Sequence, residues 1–209
     1  MANHSYLFSD KLPKTPEELH TVVASALHHP RFCDSLRAHL VEEDGDAYVF
    51  VLPKSIQDPR ASCPLRLELC LGKKWDWTDG EPAGTDQPVP STDRRSYMGS
   101  DQTSRPCIDT RHGHESSLAW HFDHLLSMCL LQRLGGKLYD DGAGVLPLVD
   151  PDTIRGPYGP RYSGLMGKLA GYMGRKADER LLKDYAELRP FFERRPETQA
   201  KAVKPGLEV

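Results

Sequence analysis

Paired cysteines, long apolar runs and a charge excess of one sign are what this chain lacks. Its 209 residues hold five cysteines, Cys33, Cys63, Cys70, Cys107 and Cys129, an odd number with no CxxC spacing. That excludes a fully paired disulfide framework and the common zinc-ribbon pattern, and it reads as a chain kept in a reducing compartment. No stretch approaches the run of roughly 18 apolar residues that a membrane-spanning helix needs. The opening "MANHSYLFSDKLPK" has no basic segment followed by an apolar one, so no secretory signal is expected. A cytoplasmic protein without a membrane partner is the expectation. The formal charge of −3 gives no basic field of the kind that nucleic acid needs, so no nucleic-acid partner is expected.

Catalytic templates are missing as well. There is no GxSxG, no phosphate-binding loop and no GxGxxG between a strand and a helix. Cys107 near His112 is the closest approach to a thiol with a base, and no third residue orients the pair. No catalytic residue is assigned.

The residues that are present, hydrophobic at 38% and charged at 27%, suit a globular domain with a modest core. "SYLF" (5–8) reads as a strand. Thr15, Pro16 and Glu18 then stand as N-cap, first helical residue and capping-box acid of a helix beginning "PEELHTVV". A short second helix is expected over about 30–40, where Phe32, Leu36 and Leu40 recur every four residues. "EEDGD" is a turn, and "AYVFVLP" (47–53) is an apolar strand. "PLRLELCLG" (64–72) alternates, with Leu65, Leu67, Leu69 and Leu71 on one face and Arg66, Glu68 and Cys70 on the other. From Gly72 to Gly113, 24 of 42 residues are Gly, Pro, Ser, Thr or Asp, which reads as a long loop. Within it, "KWDW" and "RRSYM" could pair as a hairpin. A helix over 116–134 follows, ended by Gly135 at its left-handed cap. A strand at 137–139 and an extended "VLPLV" come next. The order is that of a ferredoxin-like split βαββαβ unit, an α+β fold with two helices on one face of an antiparallel sheet.

Residues 1–150 form this α+β domain, 151–195 a helical extension, and 196–209 a disordered tail. The extension is basic. From Arg155 to Lys204 there are twelve Lys or Arg against six Asp or Glu, leaving the rest of the chain near −9. Leu181, Leu182, Tyr185 and Leu188 make its apolar stripe. Gly164, Gly167, Gly171 and Gly174 would share one side of a helix, which favours close approach of another backbone.

Two groups of residues carry candidate chemistry. "RHGHESSLAWHFDHLL" (111–126) brings His112, His114, His121 and His124 together, enough ligands for zinc, with His121 and His124 one helical turn apart. The pattern matches neither HExxH nor a zinc finger. The helical wheel puts His121 on the buried side and His124 at its edge, leaves Asp123 and Ser127 as the wet side, and makes His112 and His114 solvated loop residues. Buried neutral histidines are therefore the alternative to a metal site, and no cofactor is required.

The second group is Trp75 and Trp77, on one face of an extended stretch, with Arg94, Arg95 and Tyr97 further along the loop. Trp, Tyr and Arg dominate the energetic centres of protein interfaces.

The strand–capped helix–strand pattern, with a later amphipathic helix running into "LLQRLGGKLYDDGAG", resembles small α+β immunity proteins encoded beside bacterial polymorphic toxins. The resemblance covers about residues 1–150. It implies a protein that binds and blocks a cognate toxin or enzyme. A metal-dependent enzyme on the histidine cluster, and a structural or assembly protein of a phage or secretion system, stand as the alternatives.

Overall fold

The computed structural model describes residues 3–75, 104–112, 117–140, 144–154, 176 and 179–190. Strand β1 (Asn3–Phe8) leads into helix α1 (Pro16–Leu27), which starts where the sequence places it. Thr15 Oγ1 accepts from the Glu18 N–H at 3.3 Å, and the Glu18 carboxylate accepts from the Lys14 N–H at 2.7 Å. The first bond satisfies one of the amides that a helix start leaves open, and the second ties the residue before the cap, not the cap amide itself, to the first turn. Thr15→Ala is accordingly expected to cost roughly 0.5–2 kcal/mol in urea denaturation. An unchanged midpoint would mean that the cap contributes nothing to folding.

The expected helix over 30–40 does not form. A single 3-10 turn covers Pro30–Phe32, Cys33 and Asp34 adopt left-handed φ of 51° and 54°, and strand β2 (Leu36–Glu43) begins. Leu36, Ala38 and Leu40 fit an alternating pattern as well as a helical one, and the following turn decides between them. Asp44 and Gly45, with φ of 53° and 87°, make the tight two-residue connection that suits the twist of a hairpin. It joins β2 to β3 (Asp46–Pro53), with Glu43 opposite Asp46.

The expected long loop is also shorter than its composition suggested. Strand β4 (Leu67–Trp75) takes its first residues and β5 (Ser104–His112) its last, and the two pair along their whole length. Lys73–Trp75 therefore pair with Ser104–Pro106, and "RRSYM" lies outside the described residues. Helix α2 (Ser117–Leu134), β6 (Lys137–Asp140) and β7 (Gly144–Leu146) complete the order.

The seven described strands form one sheet, β2-β3-β4-β5-β1-β6-β7, in which every described pairing is antiparallel. The chain is α+β, as the sequence indicates. The four-strand split unit gives way to a larger sheet: β2 to β5 run as a meander that brings β5 back beside β1, and α2 crosses to place β6 on β1's other side.

Both helices pack on one face, where Leu19 and Val23 of α1 and Phe122 and Leu125 of α2 meet Val49, Val51, Leu67, Leu69 and Ile108. Leu65, Leu67 and Leu69 are buried while Arg66, Glu68 and Cys70 are half-buried, the alternation expected. Ile154, Leu181 and Leu188 join the same core, so the described part of the C-terminal stretch is built into the domain. The Arg31 guanidinium fastens that junction, donating to Asp152 O at 3.1 Å and Ile154 O at 2.6 Å. The glycine-striped segment 164–174 lies outside the described residues. No described helix is long and apolar enough to cross a membrane.

Candidate functional site

The antiparallel pair β4–β5 closes at Trp75 opposite Ser104. Two such strand ends need only a two-residue turn to connect them. Here the 28 residues 76–103 are inserted between them. Of the residues singled out for binding, the backbone of Trp75 is the last of β4, and Trp77, Arg94, Arg95 and Tyr97 lie in this insertion, outside the described residues. The insertion holds Asp76, Asp79, Glu81, Asp86, Asp93 and Asp101 against two arginines, a net charge of −4. At its base Lys74 stands opposite Arg105, and the Lys74 ammonium lies 5.4 Å from the centre of the Tyr6 ring.

The three described histidines of the cluster, His112, His121 and His124, do not gather around one point. His112 ends β5 and is buried, not a solvated loop residue, with Nε2 3.6 Å from Asp123 Oδ2. His121 lies two residues before Asp123 on α2, about 200° around the helix. Its charged neighbours are Arg31 and His124, and burial drives its pKa down to about 3, so it is a neutral core residue at physiological pH. His124 is half-buried and stacks on Trp120 at 5.3 Å, and burial lowers its pKa too. His114 lies outside the described residues. Among the described residues no three His, Cys, Asp or Glu side chains are placed to hold a metal ion.

Asp123 and Ser127, expected to face solvent, are buried at 2% and 3% exposure. They meet a polar patch in the middle of the sheet. Ser5 Oγ on β1 is 2.9 Å from Asp123 Oδ2 and 3.3 Å from Asp140 Oδ2, and Ser127 Oγ donates to Asp123 Oδ1 at 3.4 Å. Burial raises the Asp123 pKa to about 6, partly offset by His112 and the serine hydroxyls. The cluster contains Ser, His and Asp, yet its hydroxyl points at the carboxylates and not at the imidazole. It holds α2 on the sheet and does not have the relay geometry of an acyl-transfer site.

Cys107 and His112 lie five residues apart on β5, and their side chains emerge on opposite faces. Cys107 packs with Tyr6, Phe8 and Tyr139 on the face away from the helices. Burial, reinforced by the Asp109 charge, pushes its thiol up to about 12, which removes the thiolate a nucleophile needs. That face carries a network the sequence reading did not single out. His4 Nδ1 is 3.0 Å from Asp109 Oδ1, and Arg111 donates to Asp109 Oδ2 at 3.4 Å. Nearby the Arg66 guanidinium sits 4.7 Å from the Phe50 ring centre and pairs with Glu68 at 2.6 Å. The register His4–Arg111–Glu68–Phe50 across four strands brings these groups together, and only the strand order reveals it. No protein-family model, no curated protein and no solved structure matches the chain.

Proposed function

We propose that the chain is a protein-binding module, an immunity-type inhibitor of a bacterial toxin or enzyme, which engages its partner through the insertion at the β4–β5 end. The supporting observation is the closed base. Trp75 and Ser104 pair directly, so a two-residue turn would serve to join β4 to β5 where the chain has 28 residues. Loops of that length in compact domains are functional or disordered. This one concentrates Trp77, Arg94, Arg95 and Tyr97, the residue types that anchor interfaces, within a net charge of −4. An acidic segment with aromatic and arginine anchors suits a partner with a basic surface, such as an enzyme that handles anionic substrates. Charge complementarity of this kind speeds encounter and makes it salt-dependent. The chain works in the cytoplasm on this reading, where its five thiols stay free.

The tagged protein is expected to retain one predominant partner from host lysate. The Arg94→Ala/Arg95→Ala variant should then weaken binding to the purified partner by about 2 kcal/mol or more, roughly thirtyfold, while its own stability stays within about 1 kcal/mol of wild type. Binding at wild-type affinity would remove the arginines from the interface.

A further inference from the structure

Strand β2 is the last strand of the sheet at one end, and among the described residues nothing pairs with its outer side. In an antiparallel ladder the N–H and C=O of one residue point to the same side, and successive residues alternate. His20 Nε2, from α1, lies 3.3 Å from Ala38 O, and Arg60, from the β3–β4 connection, donates to Glu42 O at 3.0 Å. Ala38 and Glu42 therefore turn their backbones outward, and Leu40 between them does the same. Two side chains occupy the outward carbonyls at both ends of the stretch that a new strand would need. Exposed strand edges are templates for pairing, and charged or polar groups placed on them block it.

The sequence of β2 identifies what would pair there. "LRAHLVEE" carries Arg37 near one end and Glu42 and Glu43 at the other. Two copies running antiparallel, with the twofold through Leu40, set Arg37 of each opposite Glu43 of the other. Opposite charges directly across a strand pair stabilise it. We propose that His20 and Arg60 are edge guards, which keep β2 from adding the β2 strand of a second copy of this chain.

Sedimentation equilibrium tests this with the full chain. Wild type is expected at its monomer mass of 23.5 kDa at all concentrations. The His20→Phe/Arg60→Ala variant, which keeps a ring packed on α1 and frees both carbonyls, should rise toward twice that mass as concentration increases. Adding Glu43→Lys, at an exposed position, should return it to monomer by setting Lys against Arg37. A wild type that already pairs, a guardless variant that stays monomeric while melting cooperatively, or a dimer indifferent to Glu43→Lys would each overturn the proposal. Should the double variant fail to melt cooperatively, Arg60→Ala alone frees the Glu42 carbonyl from an exposed position. It should self-associate at high concentration, and a strict monomer there counts equally against the guards.

Discussion

Acidification from pH 7 to pH 4 should cost His121→Leu about 3 kcal/mol less stability than it costs the wild type. His121 is 1% exposed, and its folded pKa of about 3 lies well below the ordinary 6.5 of the unfolded chain. Because the folded value is depressed, the contribution is intact above pH 6.5. It is lost as the pH falls toward 3, since the unfolded state takes up a proton that the folded state refuses. Each pH step in that window costs about 1.4 kcal/mol. Asp123, two residues on, has the opposite sign. Its pKa is raised from 3.8 to about 6 by burial, so its contribution is fully present below 3.8 and is lost as the pH rises through 6. Asp123→Asn should therefore lose, relative to wild type, roughly 2 kcal/mol on going from pH 7 to pH 4. Urea denaturation of the three proteins across this range reads both effects as differences in slope, whatever constant offset each substitution adds. Parallel curves for wild type and His121→Leu would mean that His121 protonates in the folded protein as freely as in the unfolded one.

Gly136→Ala should be among the most damaging single-methyl additions in the chain, at about 3 kcal/mol or more, beyond the usual range for point substitutions. Gly136 has φ of +101°, and a Cβ there would lie 1.9 Å from Phe8 O and 2.9 Å from Phe8 C. Both atoms belong to β1, the strand on which β6 pairs, so neither side can yield without breaking the ladder. Gly135 provides the control. It caps α2 with φ of +66°, its N–H donating to Leu131 O at 2.8 Å, and a Cβ there would meet nothing within 4 Å. Gly135→Ala should therefore cost only the left-handed backbone term, about 1–2 kcal/mol. Equal midpoints for the two variants in urea would contradict the close approach of β1 and the α2–β6 junction.

These two sites show where sequence reasoning reaches and where it stops. The cap at Gly135 is legible because a glycine after an apolar helix has a local conformational cause. The tighter demand on Gly136 is not, since its cause is a carbonyl on a strand nearly 130 residues away. The capping box at Thr15 and the leucine alternation of β4 are legible for the same local reason. Strand β5 escaped because its neighbours, not its own pattern, dictate its burial. Cys107, Asp109, Thr110 and His112 are all buried, on both faces, and "SRPCIDTRH" has no apolar period of its own. On α2 the wheel treated Asp123 and Ser127 as wet, although buried polar groups are stable where partners reach them, and Ser5, His112 and Asp140 come from three separate strands.

The candidate site divides along the same line. The composition of 76–103 marks it as a loop with anchoring residue types, but the proposal that the fold does not need it rests on Trp75 lying opposite Ser104. Replacing residues 76–103 with an Asn-Gly turn that joins Trp75 to Ser104 tests that claim most directly, reading stability and partner retention on the same protein. The excised protein should unfold cooperatively at a midpoint equal to wild type or higher, by up to about 2 kcal/mol from the smaller loop-closure cost, and should no longer retain the partner that wild type captures. An excised protein that fails to fold, or one that still holds the partner at wild-type affinity, would contradict it.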